Sequence, residues 1–274
     1  MNDPVPLTIL ITCHNTADFL KVSLPAIKAL TESPHRILIN DDGSDERNLA
    51  LLRGFEKEYP NVKVFYRKCD EAPSYAHAVA LDFLITQSDS PYTAILDSDC
   101  MPLLKGWDQY LISRLNSKIR MIGSTRGEAW SGKKPVDFPA QFLILMATDT
   151  YKSLGITNYP RDISAGEDTC WEWKPKYTQA GYSAECLRSE NTRFFKDGPF
   201  RNLRCAEYYT HDGRLIGSHF GRGTNPRGKF PLKNRILNGI SYRLHWSALH
   251  WYWQRWVWLN ICKKLVRESA RGSV

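Results

Sequence analysis

The 274-residue chain has no Cys-x-x-Cys pair. Its seven cysteines (Cys13, Cys69, Cys100, Cys170, Cys186, Cys205 and Cys262) are scattered, odd in number and without metal-ligand spacing. That argues against a disulfide scaffold or a zinc cluster and reads as reduced thiols of a cytosolic protein, each a small buried hydrophobe. The opening MNDPVPLTIL lacks a basic n-region and a long apolar stretch, so no secretory signal is expected. No run reaches the ~18–20 apolar residues that spanning a bilayer requires. There are no internal repeats and no low-complexity linker, and no glycine-rich GxGxR-like loop follows the first apolar run, which disfavours nucleotidyl transfer. What is present is an ordinary globular composition: 42% hydrophobic and 24% charged residues exclude a disordered chain and suffice for a sizeable core.

Charge and tryptophan are unevenly placed. From Leu187 onward there are 17 Lys and Arg against 5 Asp and Glu, whereas the preceding residues carry 20 against 24. Five of the nine tryptophans fall between Trp246 and Trp258. A near-neutral front followed by a basic, aromatic tail calls for an anionic partner such as a membrane surface or a phosphorylated acceptor. Nucleic acid fits the charge less well, because no base-reading motif accompanies it.

Apolar runs of strand length alternate with amphipathic stretches of helix length. Strands are expected at residues 7–14, 36–40, 62–66 and 92–96, and helices at 17–30, 45–59 and 75–87. This alternation predicts an α/β fold with a mainly parallel sheet flanked by helices. Ligands of such sheets sit beyond the carboxyl ends of the strands. Those ends carry Cys13-His14-Asn15, Asp41-Asp42 and Asp97-Ser98-Asp99, three polar clusters facing one crevice. Further on, strands are expected at 120–124 and 141–147, a helix from Glu167 to Ala180, a hairpin around His211-Asp212-Gly213, and a helical C-terminal stretch over 234–267. The simplest division is a catalytic domain at 1–230 and a basic, Trp-rich helical extension at 231–274.

Two carboxylates one residue apart at a strand end direct their oxygens into the same loop space. Hard divalent cations such as Mg²⁺ or Mn²⁺ take such ligands and keep sites for water and phosphate. Alone, Asp97-Ser98-Asp99 reads equally as a solvated turn; the buried strand before it and the two neighbouring clusters favour a metal site.

ILITCHN (residues 9–15), ILINDDGSDE (37–46), AILDSDC (94–100) and AGEDTCWEWKPKYTQAGY (165–182) occur in this order. Together they resemble the GT-A fold of the inverting family 2 glycosyltransferases, over roughly residues 7–185. The resemblance implies a Rossmann-like nucleotide-diphospho-sugar transferase fold, a nucleotide-sugar donor (UDP foremost), a divalent metal (Mn²⁺ or Mg²⁺), and a glycan or lipid-linked acceptor in bacterial surface polysaccharide assembly. Residue by residue, Thr12, His14 and Asn15 would line the nucleoside pocket. Asp41 or Asp42 would bond the base or ribose, unless they only cap the helix near Asp45. Asp97 would hold ribose or metal-bound water, Asp99 would bind the metal, and Asp168, with Glu167 beside it, would be the general base. A base must take the acceptor proton as the hydroxyl oxygen attacks the anomeric carbon, and a carboxylate at a helix start in a partly closed site can do so; its other reading is a carboxylate serving only the macrodipole.

His219 precedes a glycine-rich loop, and related enzymes bring a histidine from this region to the metal or diphosphate; a structural histidine is the other reading. Arg222, Arg227 and Lys229 on that loop would close over the diphosphate or remain solvated. The segment Pro73-Ser-Tyr-Ala-His-Ala departs from the family by lacking a glycine and an Arg-Asn pair, and places His77 where sugar or phosphate contact is expected. Trp171-Glu172-Trp173-Lys174 replaces a common Arg/Gln-rich signature, which argues against a processive synthase.

On a helical wheel the aromatics of 246–258 occupy two sides, Trp246, Trp253 and Trp256 on one, Trp251 and Trp258 on another, a spread too wide for simple docking on a core. Trp beside Lys and Arg suits an interfacial anchor on the inner face of a cell membrane through residues 246–267; a helix packed on the domain or at an oligomer interface is the alternative. Two rival functions also remain: a retaining GT-A transferase, and a non-catalytic, membrane-associated nucleotide-sugar binder.

Overall fold

In the computed structural model, residues 5–125, 135–164, 166–221 and 248–272 are described. The elements run β1 (Leu7–Cys13), α1 (Ala17–Leu30), β2 (His35–Asp42), α2 (Glu46–Glu58), β3 (Val62–Arg67), α3 (Pro73–Thr86), β4 (Tyr92–Asp97), β5 (Cys100–Pro102), α4 (Trp107–Arg114) and β6 (Ile119–Gly123). Then follow β7 (Leu143–Ala147), α5 (Thr148–Ser153), α6 (Trp173–Gln179), β8 (Ser183–Cys186), β9 (Arg188–Asn191), β10 (Ala206–Tyr209), β11 (Leu215–His219) and α7 (Ala248–Ala270).

A seven-stranded sheet has the order β3-β2-β1-β4-β7-β6-β8. The pairs β3-β2, β2-β1, β1-β4 and β6-β8 are parallel, while β7 runs antiparallel between β4 and β6. This is the expected mainly parallel sheet flanked by helices. β1 is central because both its faces are apolar. Leu7, Ile9 and Ile11 point into the layer of α1, α2 and α4, and Leu10 points the other way, to Leu81 and Leu84 of α3 and Trp173 of α6. Burial of this kind, at about 25 cal/mol per Å² of apolar surface, is what drives the layers together.

Helix α2 begins where expected because Asp45 is its N-cap, its side chain accepting from Asn48 N. The capping alternative for Asp41 and Asp42 is thereby corrected: Asp45 fills that position, and β2 extends to include both residues. The helix expected from Glu167 is also corrected, since only Trp173–Gln179 is helical. Cys170 sits at φ 72° and Gly166 at φ 88°, left-handed values that interrupt an α-helix.

The second sheet, β5-β11-β10-β9, is antiparallel throughout. It contains the expected hairpin, with Gly213 at φ 84° in its turn. Helix α7 lies against α1 and this sheet. Its inner residues Trp251, Trp258 and Cys262 form a third apolar cluster with Phe19, Met101, Phe200 and Phe220. The idea that the aromatics are spread too widely to dock is thus corrected: Trp251 and Trp258 belong to one face and are buried, while Trp253 and Trp256 lie on the other and are exposed. Trp246 lies outside the described residues, as does the expected helical start at 234–247.

Candidate functional site

Strand register brings the three polar clusters level. Thr12 of β1 pairs with Asn40 of β2 and Asp97 of β4, and Cys13 pairs with Asp41. Beyond these carboxyl ends opens a cavity of about 460 Å³. Its lining includes Thr12, Cys13, His14, Thr16, Asp42, His77, Asp97, Ser98, Asp99, Phe142 and His219.

The turn Ser98-Asp99 carries the chain from β4 in the large sheet to β5 in the small one. β11 then pairs with β5 so that His219 faces Cys100 in register, and Phe220 N donates to Asp99 O at 2.9 Å. The pairing delivers the imidazole to the acidic turn. His219 Nε2 is 3.1 Å from Asp99 Oδ1 and 3.5 Å from Asp97 Oδ2. One ligand atom from each of Asp97, Asp99 and His219 lies within 4.8 Å of the others. Neighbouring corners of an octahedron with bonds of about 2.1 Å are about 3 Å apart, so the two shorter separations suit adjacent ligands of one cation. Two carboxylates and an imidazole are ordinary donors for a divalent cation. The donor set therefore fits a divalent metal.

Phe142 holds this cluster from one side. Its ring stacks on His219 with centroids 4.6 Å apart, and its carbonyl accepts from Asp97 N at 3.1 Å. Thr16 Oγ1 and Ser98 Oγ are 2.7 Å apart, tying the loop after β1 to the acidic turn. Neither Phe142 nor Thr16 is signalled by sequence, because these contacts are with partners more than 40 residues away. Burial pushes the Cys13 thiol up to about 11 and the Cys100 thiol well above its usual value, against the weaker opposing hydrogen bonds. Both thiols therefore stay protonated at neutral pH in the metal-free protein.

One side of the cavity is built from the loops after β1 and β2. His14 Nδ1 lies 2.6 Å from the Asp42 carbonyl, and Thr12 Oγ1 lies 3.4 Å from His77 Nδ1. Asp42 lines the cavity, with Oδ1 accepting Cys69 N at 2.7 Å. Asp41 is buried behind it, with Oδ2 accepting Ser44 N and no hydrogen-bond partner for Oδ1 among the described residues. Asn15, at φ 55°, is a clip: its N donates to Ser44 Oγ, and its Oδ1 accepts from Asp45 N. It does not line the cavity, whereas Lys68, Cys69 and Glu71 do, without having been singled out in the sequence.

Asp168 and Glu167 are half-buried and lie outside that lining. Asp168 Oδ1 accepts Thr169 N. Thr169 Oγ1 in turn accepts Gln141 Nε2 at 2.6 Å, next to Phe142. This links the Asp168 segment to the wall of the cavity. Glu167 Oε2 accepts the backbone amides of Arg161 and Asp162, closing the loop before it. Since Asp168 precedes α6 by several residues, the macrodipole reading does not apply to it. Arg222, Arg227 and Lys229 lie outside the described residues.

The sequence profile described as Glycosyl transferase family 2 matches residues 8–132. Glycosyltransferase AglE of Haloferax volcanii is 21% identical over 198 residues, 65% of this chain and 62% of that protein. Among solved structures, the mannosyltransferase PcManGT from Pyrobaculum calidifontis, in complex with GDP-Man and Mn²⁺, superposes with TM-score 0.52 at 14% identity, over 67% of this chain and 55% of its own. GalNAc-T7 with UDP, GalNAc and Mn²⁺ does so with TM-score 0.52 at 16% identity, over 66% and 42%. The chain thus spans about two-fifths to three-fifths of the length of these proteins. It has the GT-A fold and resembles the family 2 glycosyltransferases.

Proposed function

We propose that this protein is a metal-dependent glycosyltransferase that moves a sugar from a UDP-linked donor to a hydroxyl of a glycan or lipid-linked acceptor, with inversion, in the assembly of a surface polysaccharide. The observation that carries this reading is the Asp97–Asp99–His219 cluster in the cavity at the carboxyl ends of parallel β1, β2 and β4. Asp97, Asp99 and His219 would hold Mn²⁺. When bound, the metal supplies neutralising charge to the diphosphate leaving group.

The chain's own residues provide the rest. Thr12, His14 and Asp42 surround the nucleoside, with Asp41 buried behind Asp42, and His77 stands on the sugar or phosphate side. Asp168 takes the proton of the acceptor hydroxyl as its oxygen attacks the anomeric carbon from the face opposite the diphosphate. Glu167 keeps the loop beside Asp168 closed through the amides of Arg161 and Asp162.

A panel of UDP-, GDP- and dTDP-sugars, each with and without Mn²⁺, tests the reading by release of nucleoside diphosphate. Mn²⁺-dependent release from a UDP-sugar, lost in Asp99→Asn, supports it; no release from any donor overturns it. The anomeric configuration of the product, read by NMR, separates inversion from retention.

The outer face of α7 supports a place on the inner surface of a cell membrane. Tyr252, Trp253 and Trp256 are 41%, 49% and 65% exposed, and Lys263, Lys264 and Arg267 continue the same solvent-facing side toward the C-terminus. Aromatic rings at headgroup depth beside basic residues favour an anionic interface. No helix among the described residues is long and apolar enough to cross a membrane. Sedimentation with phosphatidylglycerol vesicles should fall sharply in Trp253→Ser/Trp256→Ser; equal sedimentation sinks the anchor.

A further inference from the structure

Successive residues of a strand face opposite ways, and at the end of β11 this divides two tasks. His219 faces the acidic turn, while its neighbours Ser218 and Phe220 face α7. Ser218 Oγ accepts the indole N–H of Trp258 at 2.9 Å and donates to the Ala206 carbonyl at 2.8 Å. Ala206 is the residue opposite His219 in the β10-β11 register. Phe220 lies among Phe19, Trp251 and Trp258, with ring centroids 5.8, 6.1 and 5.8 Å away. Trp258 is fully buried and also meets Phe19 at 6.0 Å and Phe200 at 6.3 Å. Both neighbours of His219 are therefore held by one helix near the C-terminal end of the chain.

That helix is itself seated. Arg255 of α7 reaches Asp18 at the start of α1 at 3.4 Å and lies 4.5 Å over the Phe19 ring, and Ser269 Oγ accepts Lys105 N at 2.8 Å just beyond β5. Thus α7 spans the element that carries the loop after β1 and the strand that pairs with β11.

We infer that Trp258 is a positioning residue for the metal site: through Ser218 and Phe220 it holds the end of β11 at the depth where His219 meets Asp97 and Asp99. The inference rests on the metal-binding reading of that cluster. Groups that orient a metal ligand are worth about 10- to 100-fold in affinity, and one acting through the strand backbone belongs at the lower end of that range.

The test is Mn²⁺ binding to the full-length protein, followed by electron paramagnetic resonance, in wild type, Trp258→Phe, His219→Ala and the double variant. Phenylalanine keeps a ring in the cluster and removes the N–H. Trp258→Phe should weaken Mn²⁺ binding about tenfold, whereas Trp256→Ala on the opposite face of α7 should leave it unchanged. In the His219→Ala background, Trp258→Phe should weaken binding no further. Unchanged affinity in Trp258→Phe overturns the inference. So does the same fold-loss with and without His219, which would mark a general loosening of the fold. Should Trp258→Phe fail to fold, Ser218→Ala removes the accepting oxygen with Trp258 left in place and is expected to show the same weakening. A wild type that binds no Mn²⁺ would overturn the metal site itself, an outcome distinct from a wild type that binds and a variant that binds equally well.

Discussion

His219 Nε2 lies 3.1 Å from Asp99 Oδ1 across 120 positions of sequence. The contact exists because β11 pairs with β5, the strand that leaves the acidic turn, with His219 opposite Cys100. Two sheets thus meet at one cluster. The large sheet supplies Asp97 at the end of β4, and the small sheet supplies His219.

Replacing Asp99 with Asn should abolish Mn²⁺ binding and lower Mn²⁺-dependent donor turnover about a hundredfold or more, since a neutral amide is a poor ligand for a hard cation. The melting temperature should hold or rise, because one of two facing carboxylates is removed. Calorimetric titration with Mn²⁺ and a thermal melt check both halves.

The neighbouring acids should separate cleanly. Asp168→Asn is expected to lower transfer about 10²- to 10⁴-fold with donor binding intact, the range for loss of a general base. Glu167→Gln keeps an oxygen for the amides of Arg161 and Asp162, so its turnover should stay within a few-fold of wild type. Parallel measurement of donor Kd and kcat for the two variants decides this. Equal collapse of both would mean that Glu167 shares the chemistry.

Asp18 gives the joint between α1 and α7 a pH dependence. Burial opposes its charge, but the hydrogen bond to Lys21 and the charges of Arg255, Lys21 and Arg47 outweigh it and hold its carboxyl below the ordinary 3.8. A depressed carboxylate stabilises the fold above its ordinary value and loses that contribution as pH falls through the lower, folded value. Asp18→Asn should therefore melt below wild type at neutral pH, with the gap closing in strong acid. A gap independent of pH would refute the charge account.

Glu207 should behave in the opposite sense. Burial raises its pKa from the ordinary 4.5, against the opposing hydrogen bonds from Tyr209 and Phe200 N. The folded state then holds the proton more tightly than the unfolded one, and stability declines as pH rises from the ordinary value through the folded one. Glu207→Gln is expected to be more stable than wild type at pH 7 and to lose that advantage at and below about pH 4.5. Thermal melts across this window are the measurement.

Much of the cavity at the carboxyl ends of β1, β2 and β4 could be read in advance, for local reasons. Runs such as residues 7–13 and 92–97 are apolar enough to be central parallel strands, and the start of α2 near Asp45 follows from the pattern, although its cap is Asp45 itself and not Asp41 or Asp42. Once those strands are placed, Asp41, Asp42, Asp97 and Asp99 must gather at their carboxyl ends, because parallel strands bring like ends together. The helix expected from Glu167 failed for a conformational reason: Cys170 adopts a left-handed φ that no propensity signals.

Sequence alone determined the order of elements from β1 to β4, the acidic turn after β4 and the candidacy of Asp168, since each depends on periodicity or motif within a few residues. Tertiary structure decided what completes the site. His219 reaches Asp99 through a strand pairing, Phe142 stacks on it from the turn before β7, and Trp258 holds its neighbours from α7. None of these contacts has a local pattern, because each is selected by shape and burial between segments that meet only after the two sheets and the C-terminal helix have packed.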